Sequence, residues 1–179
     1  MGEGAHERRM PGMPRRGAMS ARRPLMAIEV GPLLAVDRVE WEALSRAYKA
    51  FYQTDLPDSA YEGTWRRLLL RDGIRGLGAR IDGRLVGITH FLFHTGIWSP
   101  CACYLEDLFV EQAARGRGVA RALIAAAAED ARAERAGRLY WLTHETNAAA
   151  RTLYDKVAAS SGFVEYEYPL LAGKSESLP

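Results

Sequence analysis

The sequence predicts an α/β domain built on one mixed sheet, with antiparallel N-terminal strands, a central βαβ unit and helices on both faces. Three observations carry this. Two strand-like runs, Leu77 to Ile81 and Arg84 to His94, flank Asp82-Gly83, a dipeptide suited to a tight hairpin turn. A third apolar run, Ala102 to Val110, extends the hairpin into an antiparallel meander. From Tyr104 the chain reads YLEDLFVEQAARGRGVARALIAAAAEDA, a strand, a short loop of Arg and Gly and an Ala-rich helix, with a further strand from Arg138 to Thr143.

The elements follow in order. Ala27 to Val30 is a candidate first strand. Asp37 precedes an amphipathic helix, Val39 to Phe51, whose Trp41, Leu44, Tyr48 and Phe51 recur at helical spacing. A turn-rich loop from Thr54 to Ser59 leads to a second helix, about Ala60 to Arg71, which stops before Gly73. After the meander, the helix from Gly118 to about Ala136 is rich in alanine, the best helix former, and Gly137 suits its end. A helix from Asn147 to Ser160 and a last strand from Phe163 to Leu170 complete the chain, without repeats.

At 179 residues the chain is long enough for one domain with a substantial core, expected over residues 26–171 with a short tail at 172–179. Residues 1–25 are rich in Gly, Pro and Arg and too poor in periodic apolar residues to order themselves. All five methionines lie within the first 26 residues, so the tail is either disordered or over-called, with the true start at Met19 or Met26. A transit-like peptide and a partner-binding arm are the other readings. Residues 1–24 hold six arginines against two glutamates, a net of +4, while the remainder has 18 basic and 20 acidic residues, a net of −2. The basic balance therefore belongs to the tail, which argues against a nucleic-acid footprint on the domain.

No apolar run approaches the roughly 18–20 residues that span a bilayer. The N-terminal region lacks the apolar segment of a signal peptide, which makes the cytoplasm the expected compartment. Cys101 and Cys103 suggest no disulfide framework and read as two small side chains on one face of a strand. The four histidines form no ligand cluster with them, so no metal is expected.

The loop after Val110 carries the chemistry. Bare backbone amides at a helix N-terminus make a ready phosphate site, and Arg115 and Arg117 can pair with phosphate oxygens. The dinucleotide fingerprint fails here, because Gly116 and Gly118 are followed by Arg121 where a third Gly belongs. Gly76 and Gly78 fail likewise at Ile81, and Gly173-Lys174-Ser175 lacks the first Gly of a P-loop, with Tyr168 in its place. What fits is R-x-x-G-x-A, at Arg115, Gly118 and Ala120, whose small residues let a ligand approach the backbone.

This pattern resembles the acetyl-CoA-binding motif of the GNAT N-acetyltransferase superfamily. A second block resembles that family's next motif: Thr143 to Asn147, then Leu153-Tyr154, then Gly162-Phe163. The resemblance covers about residues 27–170 and is sharpest from Tyr104 to Phe163. Leu105-Glu106-Asp107 and the stretch from Tyr140 to Glu145 look most like the diamine/polyamine and histone-and-polyamine branch.

The resemblance implies a GNAT-like fold and an enzyme that moves an acetyl group from acetyl-CoA, as co-substrate, to an amine. It places the pyrophosphate on Arg115, Gly116, Arg117, Gly118, Val119 and Ala120, with Arg121 beside them. It gives Leu108, Phe109, Val110 and Asn147 contacts to the pantetheine arm, and Tyr154 the role of acid to the departing thiolate. Splaying of the Leu108 to Val110 strand from its neighbour would let a backbone N–H such as that of Leu108 polarise the thioester carbonyl. Glu106 is the first candidate for a base acting through water and Asp107 the second; as strand neighbours they are expected on opposite faces. A homodimer is implied by the same likeness.

Other residues keep two readings each. His144 is a base, a substrate contact or a surface residue. Asp55, Asp58 and Glu62 either draw a cationic substrate or form a solvated turn. Tyr48, Phe51, Trp98 and Trp141 line an acceptor pocket or fill the core. The acceptor expected is a primary amine on a small molecule, with di- and polyamines favoured. A protein or peptide lysine, a protein N-terminus and a non-catalytic acyl-CoA sensor are the alternatives.

Overall fold

A computed structural model of the chain describes Met1, residues 27–98, residues 100–168 and Leu170. The meander forms as its sequence predicts. β1 (Ile28–Pro32) pairs antiparallel with β2 (Ile74–Ile81), β2 with β3 (Arg84–His94) and β3 with β4 (Ala102–Val110). Asp82 and Gly83 both adopt positive φ in the β2–β3 turn, as a tight hairpin requires. A short β5 (Leu139–Tyr140) then adds in parallel to β4, giving the sheet order β1-β2-β3-β4-β5.

Helices cover both faces. Between β1 and β2 lie α1 (Arg38–Phe51) and α2 (Asp58–Leu70). Their Trp41, Leu44, Tyr61, Trp65 and Leu68 pack with Leu85 and Ile88 of β3 into one core. α3 (Val119–Ala133) lies on the opposite face, where Val119, Leu123 and Ala127 meet Val86, Phe91, Cys103 and Leu105. The helix comes so close at Gly87 that a Cβ there would stand 3.0 Å from Val119 Cγ1 and 3.1 Å from the Phe109 carbonyl oxygen. Cys103 lies fully buried in this core, and burial pushes its thiol up to about 11.

Several boundaries differ from the sequence reading. β2 begins at Ile74 rather than Leu77, and α4 (Ala148–Val157) stops three residues short of Ser160. The strand expected from Arg138 to Thr143 shrinks to Leu139–Tyr140, because only Cys103 and Tyr104 of β4 pair with it. The strand expected from Phe163 to Leu170 is absent among the described residues, and Phe163, Val164, Tyr166, Tyr168 and Leu170 are all exposed. A two-residue β5 offers little edge for a further strand to pair with. No helix among the described residues is long and apolar enough to cross a membrane. The tails expected at 1–25 and 172–179 fall outside the described residues, Met1 apart.

Candidate active site

The parting of β4 and β5 makes room for the first pocket. Their pairing ends at Tyr104 and Tyr140, while β4 runs on to Val110. Beyond Tyr104 the β5-facing edge of β4 has no strand partner among the described residues. A groove of about 540 Å³ opens there, between β4, the start of α3 and α4.

The predicted phosphate loop forms one end of this groove. Gly118 sits at φ +90°, a left-handed conformation that glycine adopts without strain, and turns the chain into α3. Gly116 is also left-handed, at φ +73°, and neither glycine has anything within 4 Å of where a Cβ would stand. Gly118, Val119 and Ala120 line the groove, which therefore borders the N-terminus of α3, where anionic oxygens are favoured. Arg115 lines the groove, but its Nε donates to the Val110 carbonyl at 3.1 Å, so the side chain also ties the loop to β4. Arg121 lines the groove as well, whereas Arg117 is exposed and stands outside the lining. Apart from Arg117, every residue assigned to the cofactor from the sequence borders this one groove, from Leu108 through Ala120 to Asn147 and Tyr154.

Asn147 caps α4. Its Oδ1 accepts from Ala150 N at 3.3 Å and its Nδ2 donates to Thr143 Oγ1 at 3.2 Å. That cap sets the helix whose Tyr154, seven residues on, faces the groove and packs edge-on against Trp141 at 5.3 Å between ring centroids. Burial, then the nearness of Tyr52, raises the Tyr154 phenol above its ordinary value. Tyr154 is therefore protonated at neutral pH and has a proton to give.

A second, smaller pocket of about 170 Å³ lies under α1 and α2, on the other side of Tyr48, which lines both. Glu106 and Asp107 line it together, which corrects the expectation that they point to opposite faces. The reason is a bulge. In the β3–β4 register His90 faces Asp107 and Phe91 faces Leu105, so Glu106 is an extra residue in β4. Leu105 and Leu108 both pack in the α3-side core, and the two residues between them turn to the α1 side.

Asp107 is the best-connected group of the second pocket. His90 Nδ1 lies 2.8 Å from its Oδ2, Lys49 Nζ lies 3.6 Å from its Oδ1, and Tyr48 lines the same pocket. Burial works to raise the Asp107 carboxyl, but the His90 hydrogen bond, Lys49 and Tyr48 outweigh it and hold the carboxyl below its ordinary value. Tyr48 moves the opposite way, its phenol raised by burial and then by the Asp107 charge. Behind His90, Trp41 Nε1 donates to His90 Nε2 at 2.8 Å. Ser45 Oγ, buried in the same wall, has no hydrogen-bond partner among the described residues, and Arg67 of α2 lines the rim.

Most of the other sequence candidates lie apart from both pockets. His144 is exposed and stacks near Tyr52, at 5.9 Å between centroids. Asp58 and Glu62 pair with Arg46 and Arg38. Trp98 is exposed, whereas Tyr48 and Phe51 do line the groove. Sequence reasoning missed His90 and Lys49. The available signal for His90 was a lone imidazole inside the apolar run from Leu85 to Phe93.

Two neighbouring pockets that share a tyrosine wall suit a two-substrate transferase. Residues 41–159 match the Acetyltransferase (GNAT) family, and the chain belongs to that family. It is an acetyl-CoA-dependent N-acetyltransferase with the mixed α/β fold of its relatives. The chain is 30% identical over 136 residues to the D-amino-acid N-acetyltransferase HPA3 of Saccharomyces cerevisiae, covering 73% of this chain and 84% of that one. It resembles the crystal structure of a ribosomal-protein-alanine N-acetyltransferase from Brucella melitensis biovar Abortus 2308, with a TM-score of 0.66, 27% identity and coverage of 80% and 99%. The fold is also that of the aminoglycoside N-acetyltransferase AAC(6')-Iy in complex with CoA, with a TM-score of 0.72, 19% identity and coverage of 81% and 96%.

Proposed function

We propose that the protein acetylates a primary amine on a small molecule, by direct attack of the amine on the acetyl-CoA thioester. The observation that carries this reading is the junction at Tyr48, which brings the donor groove and the carboxylate-lined pocket side by side. The amides from Gly116 to Ala120 hold the pyrophosphate, with Arg115 and Arg121 adding positive charge. The unpaired edge at Leu108 to Val110 hydrogen-bonds the pantetheine arm, and the Leu108 N–H polarises the carbonyl.

The amine enters from the second pocket as an ammonium. Asp107, kept ionised by His90, Lys49 and Tyr48, anchors it. Glu106, exposed at the bulge, takes its proton through water. The nitrogen then bonds to the carbonyl carbon, the carbon–sulfur bond breaks and Tyr154 protonates the leaving thiolate, while the second proton shed by the nitrogen passes through water and restores the Tyr154 phenol. His90 is not free to serve as the base, since Trp41 occupies its Nε2.

Leu105-Glu106-Asp107 keeps di- and polyamines in the reading. The pocket's own charges favour a second acceptor class. Lys49 and Arg67 share the pocket with the two carboxylates, so a second ammonium is repelled and a carboxylate on the acceptor is welcome. An amino acid meets that description, and the yeast relative named for D-amino acids agrees with it. The homodimer is part of the same proposal, supported by the exposed side chains of Phe163, Val164, Tyr166 and Tyr168.

The test is acetyl-CoA turnover against a panel of spermidine, putrescine, thialysine, D- and L-amino acids, an aminoglycoside and a lysine-bearing peptide. Product mass identifies the acetylated acceptor. Acetylation of the peptide alone would overturn the small-molecule reading. CoA binding without turnover on any acceptor would favour a sensor.

A further inference from the structure

Two irregularities in the sheet converge on one carboxylate. An imidazole stands in the mostly apolar run from Leu85 to Phe93 of β3, and a bulge in β4 swings Asp107 to meet it. His90 is almost fully buried, at 8% exposure, where a polar ring is costly unless both nitrogens are satisfied. Both are. The indole N–H of Trp41 can only donate, so the His90 Nε2 that it meets at 2.8 Å is an acceptor and bears no proton. The ring proton then sits on Nδ1, which lies 2.8 Å from Asp107 Oδ2. Trp41 is itself 1% exposed and stacked against Trp65 at 4.8 Å, so this end of the chain is rigid.

We infer that His90 is a positioning residue for the acceptor amine: Trp41 fixes it as the Nδ1–H tautomer, and in that form it holds the Asp107 carboxylate facing the second pocket. The inference rests on the proposal that this pocket takes the amine. With Oδ2 held by His90, Oδ1 is turned toward Lys49 and the pocket. The groups facing Asp107 are His90 from β3, Tyr48 and Lys49 from α1 and Glu106 from β4, with Arg67 of α2 on the rim. Of these, His90 is the buried neutral donor. It fixes the direction of the carboxylate without cancelling the charge that an ammonium needs.

The experiment compares His90→Leu with His90→Asn. The leucine variant removes the donor, whereas the asparagine amide reaches about where Nδ1 stands and restores it. His90→Leu should raise the KM for the amine about tenfold or more, the scale of one hydrogen bond to a charged group, and leave the KM for acetyl-CoA within about twofold. The acid limb of kcat/KM for the amine should move to higher pH, because Asp107 loses a donor that favours its ionised form. His90→Asn should recover most of both effects. A folded His90→Leu enzyme with unchanged amine KM and acid limb would overturn the inference, as would equal losses for both substrates.

Two further arms keep the inference exposed to failure. Nitrogen NMR of the histidine-labelled wild-type protein should show Nδ1 protonated and Nε2 bare; the reverse tautomer would overturn it even if His90→Leu does not fold. Asp107→Asn separates the two layers of argument. If it raises the amine KM and His90→Leu does not, the His90 role fails and the acceptor pocket stands. If neither variant moves the amine KM, the pocket assignment itself fails.

Discussion

Tyr48 stands at the wall between the two pockets beside Asp107, its phenol raised by burial and then by the Asp107 charge, so one side chain joins the groove to the carboxylate of the second pocket. Tyr48→Phe keeps the ring that borders the groove and removes only the phenol that helps to lower the Asp107 carboxyl. Asp107 should then titrate closer to its ordinary value, and kcat/KM for the amine should fall roughly two- to tenfold, the scale of an ordinary polar contact of about 0.5–1.5 kcal/mol. CoA affinity, measured by calorimetry, should stay within about twofold, since the apolar wall is intact.

Tyr154→Phe should lower turnover by about a hundredfold or more, the scale of a lost general acid, while CoA binding is nearly unchanged. The phenol's raised pKa means that the wild-type group stays protonated across the neutral range, so its loss should not shift the acid limb of the rate profile. Single-turnover kinetics with acetyl-CoA and a saturating amine separate this from slow product release. Unchanged turnover would remove Tyr154 from the mechanism.

The phosphate cradle gives a sharper contrast. At Gly118, φ +90° is costly for any residue with a Cβ, by about 1–2 kcal/mol, and a glutamate there sets a carboxylate among the amides that await phosphate. Gly118→Glu should abolish measurable CoA binding. Gly118→Ala, which carries the strain without the charge, should weaken it less. Calorimetric titration with CoA resolves the two.

The local chemistry was legible in the sequence, and the long-range geometry was not. Asp82-Gly83 and the run from Arg115 to Ala120 specify their turns through their own residues, and both form as read. The facing of Glu106 and Asp107 depends on a bulge, which is a property of the register with β3 and invisible in either strand alone. Trp41 and His90 are 49 residues apart, and only the docking of α1 on β3 brings them together. The missing strand at Phe163 to Leu170 shows the same limit from the other side. Its apolar alternation suits a strand, but a strand also needs an edge, and β5 supplies two residues.

Packing of α3 sets where the cradle stands, and Gly87 controls that distance. A Cβ at 3.0 Å from Val119 Cγ1 and 3.1 Å from the Phe109 carbonyl oxygen is tight on both sides, so α3 and β4 have to give by a few tenths of an ångström to take it. Gly87→Ala should destabilise the fold by about 1–3 kcal/mol in urea titrations, the usual cost of overpacking. It should also weaken CoA binding, although residue 87 lies outside the groove lining.

Asp107 also couples stability to pH. Its carboxyl is held below the ordinary value in the fold, with burial opposing and the His90, Lys49 and Tyr48 contacts prevailing. A depressed carboxylate stabilises the native state above the unfolded pKa of about 3.9 and loses that contribution as pH falls through the lower native value. Asp107→Asn should therefore cost about 1–3 kcal/mol at neutral pH, the price of lost bonds to a charged group. The gap between wild type and variant should stay flat down to about pH 5 and narrow below about pH 4. Urea unfolding of both proteins across that range measures it. A gap that instead widens toward acid would mean that Asp107 is raised rather than depressed in the fold, and the anchoring role assigned to it would fall.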